Sequence, residues 1–114
     1  MTGKISTQSA MHYNWGNGED GWHLVRNPAL SIIQERIGPG GSEQRHYHHH
    51  SSQFFYVLSG QLQIEIAGST VLLGQHEGVE VSAGVPHQVQ NRSQTDVHFL
   101  VTSLPPSHGD RVAA

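Results

Sequence analysis

Residues 46–50 read HYHHH, followed by a side-chain amide at Gln53 and, far downstream in SAGVPHQVQN, by His87. In an extended strand alternate side chains share a face, so His46 and His48 project together with Cα atoms ~6.6 Å apart, close enough to converge on one ion. His49 then points the opposite way, and His49 and His50 read as exposed turn residues. Gln53 lies at an odd offset from His48, so a turn or bulge within HHSS must return the chain to the same side. Three imidazoles with one side-chain oxygen would suit one divalent transition-metal ion (nickel, iron, manganese, zinc or copper), and affinity order alone does not choose among these.

The rest of the composition narrows the chemistry to those donors. The chain has no cysteine, which removes disulfides, thiolate nucleophiles and thiolate-rich zinc sites together. Its 114 residues suit one domain, and with 35% hydrophobic and 13% charged residues it is neither membrane-spanning nor the highly charged kind that stays disordered. The formal net charge is -3, and the six Lys and Arg are scattered, so no basic patch exists for nucleic acid. A lone Lys4 argues against an anionic membrane surface. The first residues lack the apolar stretch of a secretory signal, which makes a cytoplasmic location the default expectation.

The elements that must position the histidines read as strands. From Trp22 onward, short runs of β-branched and aromatic residues are separated by glycine-bearing turns, the pattern of an all-β barrel or sandwich. In QLQIEIAG, Leu62, Ile64 and Ile66 alternate with polar residues, which predicts one buried face and one wet face. Turn residues at Ser59-Gly60 and Gly68-Ser69 then predict a three-stranded meander through QFFYVLS, QLQIEIA and STVLL. FFYVLS is apolar on both faces: Phe55 and Val57 share the parity of Gln53 and should line the barrel near the ion, while Phe54, Tyr56 and Leu58 should face a second layer or another subunit. That second face implies a homodimer.

Residues 1–20, polar and rich in glycine and asparagine, are expected to form an N-terminal arm, residues 21–104 the barrel, and residues 105–114 a tail crossing a barrel mouth, since Pro105-Pro106 cannot continue a central strand. In DVHFLVT, Val97, Phe99 and Val101 form the apolar lumen face and His98 points outward. In SIIQERI, Gln34 and Arg36 share one face, with Ile33, Glu35 and Ile37 on the other. Substrate-binding candidates are Gln34, Arg36, Phe55 and Phe99, with Arg36 either holding a carboxylate in the mouth or forming a surface ion pair.

Gly40, His46, His48, Gln53 and Gly60 stand at the spacing G-x5-H-x-H-x3,4-E-x6-G, which resembles the first motif of the cupin superfamily, with Gln53 in place of glutamate. The second motif, G-x5-P-x-G-x2-H-x3-N, is matched by Gly84, His87 and Asn91. Ser82 stands at its proline and His76 at its first glycine, where Gly78 is expected to do the turn's work instead. The resemblance implies a cupin-type double-stranded β-helix (jelly-roll) barrel and a metal held by His46, His48, Gln53 and His87.

The glutamine has physical consequences. A carboxylate would cancel one unit of the ion's charge and an amide cancels none, so metal should be held less tightly and less selectively while its Lewis acidity is greater. A neutral donor set also favours the lower oxidation state of iron, which points to non-redox chemistry, an isomerase or lyase acting on a keto-sugar or keto-acid, ahead of a metal-dependent dioxygenase. In its metal set the chain is similar to small cupins that linearise unsaturated uronates. The acid, aromatic and arginine expected in the C-terminal segment of such enzymes are reduced here to Asp110-Arg111. A non-catalytic metal- or small-ligand-binding module and a dimeric scaffold are the alternatives from other classes; an enzyme additionally requires a base within reach of the ion, and no residue stands out as one.

Overall fold

The computed structural model describes residues 3–114, so the first two residues of the expected arm lie outside the described region. Among the described residues every regular element is a strand: β1 (Met11–Trp15), β2 (Glu19–Arg26), β3 (Ser31–Ile37), β4 (His46–His48), β5 (Ser52–Ser59), β6 (Leu62–Ile66), β7 (Ser69–Leu73), β8 (Gly78–Val81), β9 (His87–Gln90), β10 (Val97–Leu104) and β11 (Arg111–Ala113). They form a six-stranded sheet in the order β1-β2-β3-β10-β5-β8, facing a five-stranded sheet in the order β11-β4-β9-β6-β7. All pairings are antiparallel. No described helix is long and apolar enough to cross a membrane.

The strand parities produce the core. On β10, Val97, Phe99, Val101 and Ser103 are buried and alternate with half-buried residues; on β5 the buried set is Gln53, Phe55 and Val57. These meet Leu62, Ile64, Leu73 and Val89 of the facing sheet in one apolar cluster completed by Ile37 and Val81. Fully burying each such side chain contributes roughly 1.5–3 kcal/mol, which is the force that closes the two sheets.

Four local expectations are corrected. The meander does not form: β6 pairs with β7 and β9, whereas β5 lies in the other sheet between β10 and β8. The chain changes sheets at Gly60, whose φ is +84° and where a Cβ would lie 2.4 Å from the Asp96 carbonyl oxygen. A sharp corner pressed against another backbone replaces the simple hairpin.

Within the expected arm, Met11–Trp15 is an edge strand of the larger sheet, paired residue for residue with β2. Edge strands need little apolar content, so composition hides them. The tail does cross the mouth, through Ser107–Gly109, but after its prolines it re-enters the smaller sheet as β11 beside β4. The Asp110 carboxylate secures that return by accepting the amides of His49, His50 and Ser51 at 2.9–3.0 Å.

The turn before β8 also departs from expectation. His76 itself takes the left-handed conformation, with φ +65°, at the place of the motif's first glycine. Gly78 serves another purpose, since a Cβ there would meet the Phe54 ring at 2.6 Å. Phe54, 43% exposed, stacks on Tyr56, and Tyr56 on His76, along the outer face of β5, as its parity requires.

Candidate metal centre

The three histidines are placed by two adjacent strands. His46 of β4 is the register partner of His87 of β9, and His48 follows His46 on the same face. Ring centroids lie 4.9 Å apart for His46–His48, 4.5 Å for His46–His87 and 6.0 Å for His48–His87. Each ring offers a nitrogen to a cluster whose donor atoms all lie within 4.8 Å of one another, and all three residues are buried. Because the bond from an imidazole nitrogen to zinc is ~2.0–2.1 Å, donors on one ion stand at most ~4.2 Å apart, so a small inward movement of the rings would bring all three onto one ion.

Backbone carbonyls set the ring states. His46 Nδ1 donates to Gln44 O at 2.8 Å and His87 Nδ1 donates to Val85 O at 3.0 Å, which leaves Nε2 of each with its lone pair. His87 Nε2 and His48 Nδ1 are buried without a partner. Burial drives the pKa of His46 down to about 4, helped by Arg111 and the neighbouring imidazoles, and it lowers those of His48 and His87 as well. All three are therefore neutral near pH 7, the form that binds metal.

Gln53 approaches from the opposite sheet. It sits opposite Ser103 in register, and its Nε2 donates to Ser103 Oγ at 3.0 Å, which turns Oε1 away into a buried position with no partner. Buried polar atoms left unpaired are costly, and here the unpaired atoms are donors of metal-ligand type. The three imidazoles therefore fit a divalent cation, and Gln53 offers an unpartnered oxygen in the same cavity as His46 and His48. His49 and His50 are exposed, as expected for turn residues.

Above this floor opens a cavity of about 280 Å³, at the small end of ligand pockets. Phe55 lines it, whereas Phe99, fully buried, lies behind Phe55 at a centroid distance of 6.3 Å. Gln34 and Arg36 are not brought to it. Gln34 contacts His98 at 3.4 Å on the outer face, and Arg36 pairs with the Asp20 carboxylate at 2.5 Å and donates to Gly18 O at 2.7 Å. Arg36 thus forms the surface ion pair, because its parity is opposite to that of Glu35 and Ile33, which do line the cavity.

Sequence reasoning missed the polar wall of this cavity. Tyr13, Glu35, Glu43, His108 and Arg111 form it, and Ser103 lines the cavity below them beside Gln53. Burial pushes Glu35 up to about 7, against the pull of the Tyr13 hydroxyl and Arg111. Burial and then repulsion from Glu35 push Glu43 up to about 8, and its Oε2 lies 3.7 Å from His46 Nδ1. The Tyr13 phenol is raised well above its ordinary value, first by burial and then by Glu35. Arg111 donates to Gln44 O at 3.1 Å and takes the place in the mouth expected of Arg36. One signal was available: Glu35 is an acid between two isoleucines on the inward face of β3. For Tyr13 there was none.

Residues 33–103 match the family described as Cupin domain. The chain belongs to that family. Among solved structures it is similar to the polyketide cyclase RemF from Streptomyces resistomycificus, at 17% identity and TM-score 0.84 over 100% of this chain and 86% of that one. It is also similar to a predicted oxalate decarboxylase from Thermotoga maritima (19% identity, TM-score 0.81, 90% and 98% of the two chains). A third likeness is to a cupin-superfamily sugar phosphate isomerase from Silicibacter pomeroyi, at 20% identity and TM-score 0.79, over 91% of this chain and 76% of that one. At these identities the likeness establishes the cupin double-stranded β-helix and no particular reaction. Comparison with curated proteins found no match.

Proposed function

We propose that this protein is a divalent-metal enzyme of isomerase or lyase type acting on a small oxygenated molecule such as a keto-sugar or keto-acid. The observation that carries this reading is the set of buried neutral donors, His46, His48, His87 and the amide oxygen of Gln53, lying beneath a cavity that also contains carboxyl groups. When bound, the ion would supply a Lewis acid that polarises a substrate oxygen. The chain's own contribution is to orient the donors through Gln44 O, Val85 O and Ser103 Oγ, to limit ligand size, and to present Arg111 to an anionic group. The names of the decarboxylase and isomerase neighbours agree with such chemistry. The aromatic outer face of β5 supports a homodimer, which molar mass in solution would test.

Metal content of tag-free protein, measured by elemental analysis beside His48→Ala and Gln53→Glu, tests the site. We expect about one ion per wild-type chain, loss in His48→Ala, and tighter retention in Gln53→Glu, because a carboxylate neutralises part of the ion's charge. Wild-type protein that takes up no zinc, nickel or manganese would overturn the reading.

A further inference from the structure

We propose that Glu35 is the catalytic residue that moves the substrate's proton, and that Tyr13, lying across Gly21, positions it. This rests on the metal-enzyme reading above and assigns it a base. Cross-strand register brings the two residues together. Tyr13 of β1 is the partner of Gly21 of β2, and Gly21 is the partner of Glu35 of β3, so the three stand in one row across the sheet. A Cβ at Gly21 would lie 2.3 Å from Tyr13 Cζ and 2.6 Å from its hydroxyl oxygen. The phenol therefore lies flat over the space that any other residue would fill, over β2, and lines the same cavity as Glu35.

Glu35 is surrounded by protein yet keeps some accessible surface, and it lines the same cavity as His46, His48 and Gln53. A cavity of about 280 Å³ is small enough that one bound molecule touches both floor and wall. The titratable and charged groups facing Glu35 are Tyr13 from β1, Glu43 from the segment before β4, Arg111 from β11, His108 from the crossing tail, and His46 and His48 on the floor. Glu35 has what a base needs: a route to substrate, a partner fixing its orientation, and an environment that raises its basicity.

The substrate class that follows is a small carbonyl compound with a hydrogen on the carbon next to the carbonyl and an anionic group for Arg111. Ionised Glu35 takes that proton; the C–H pair becomes a carbon–carbon double bond and the carbonyl π pair moves onto oxygen. Return of the proton from Glu35 to the oxygen yields the enol tautomer, and its return to the same carbon regenerates the carbonyl compound. Atoms balance without a co-reactant.

The test has two arms on the full-length protein. In metal-free protein labelled with ¹³C at the glutamate carboxyl, the resonance absent from Glu35→Gln should titrate near pH 7 and move upward in Tyr13→Phe, which removes the hydroxyl that favours the ionised form. A merely structural Tyr13 would not move it. In the zinc-loaded protein in D₂O, exchange of the α-hydrogens of pyruvate and of dihydroxyacetone phosphate should be accelerated and fall about 100-fold or more in Glu35→Gln, with zinc content unchanged.

Titration of Glu35 in the ordinary carboxyl range, equal exchange by wild type and Glu35→Gln, or no accelerated exchange by zinc-loaded wild type overturns the proposal. Failure to take up zinc instead overturns the metal reading, and the carboxyl titration of the metal-free protein still decides whether Glu35 is tuned as a base.

Discussion

At the base of the cavity, His46 and His48 line the floor with Gln53 of the other sheet, His87 is buried beside His46 on the neighbouring strand, and two of the three rings are pinned by backbone carbonyls two residues away. On the wall, Tyr13, Glu35 and Arg111 come from β1, β3 and β11, drawn from both sheets and from both ends of the chain. The floor is neutral and preset, so removing any donor should remove metal. The wall is titratable and built by cross-strand register, so changing it should alter proton equilibria while metal stays. Local hydrogen bonding makes a ligand set robust, whereas long-range register makes a proton-handling wall adjustable.

The separation is tested most severely by His87→Ala, which should weaken zinc binding by more than about 100-fold, read by competition with a chromogenic chelator, while the strand spectrum by circular dichroism is retained. Unchanged affinity would dissolve the distinction between floor and wall. Next in size is Ser103→Ala. Without the hydroxyl that accepts Gln53 Nε2, the amide is free to turn its oxygen away, and zinc affinity should fall about 10-fold.

A smaller effect is expected from Glu35→Gln in metal-free protein. The folded-state pKa of Glu35 is raised from 4.5 to about 7, so its contribution to stability is fully present below pH 4.5 and is lost as pH rises through about 7. Glutamine cannot ionise, so the variant should match wild type at pH 5 and melt several degrees higher at pH 8.5. A difference independent of pH would mean that Glu35 does not titrate in this window. The smallest expected change is Asp110→Ala. Burial alone would raise the Asp110 pKa, but the amides of His50, Ser51 and His49 outweigh it and lower it. Their loss should speed hydrogen exchange at those three residues while leaving the Val57 amide, in the core of β5, protected.

Most of the floor was legible because its information is local. The HYH triplet needs only strand periodicity to converge, and the inward parity of Gln53, Phe55 and Val57 was readable for the same reason. His76 was legible as a departure from the motif, but its left-handed φ was not, since a neighbouring glycine offered an equally good turn. The placement of Arg36 as an outer ion pair was one of two readings its parity allowed, and only the pairing partner Asp20 on β2 resolved it.

Residue types and short spacings determined that this chain is all-β, that it belongs with the cupins, and that His46 and His48 share a face, because alternation along one strand is a property of the backbone itself. Which strands share a sheet was decided only in three dimensions. The sheet change at Gly60, the return of β11 to β4 and the row Tyr13–Gly21–Glu35 all depend on contacts between segments far apart in the chain. Such contacts arise from apolar burial and hydrogen-bond register over the whole molecule, which no local pattern encodes.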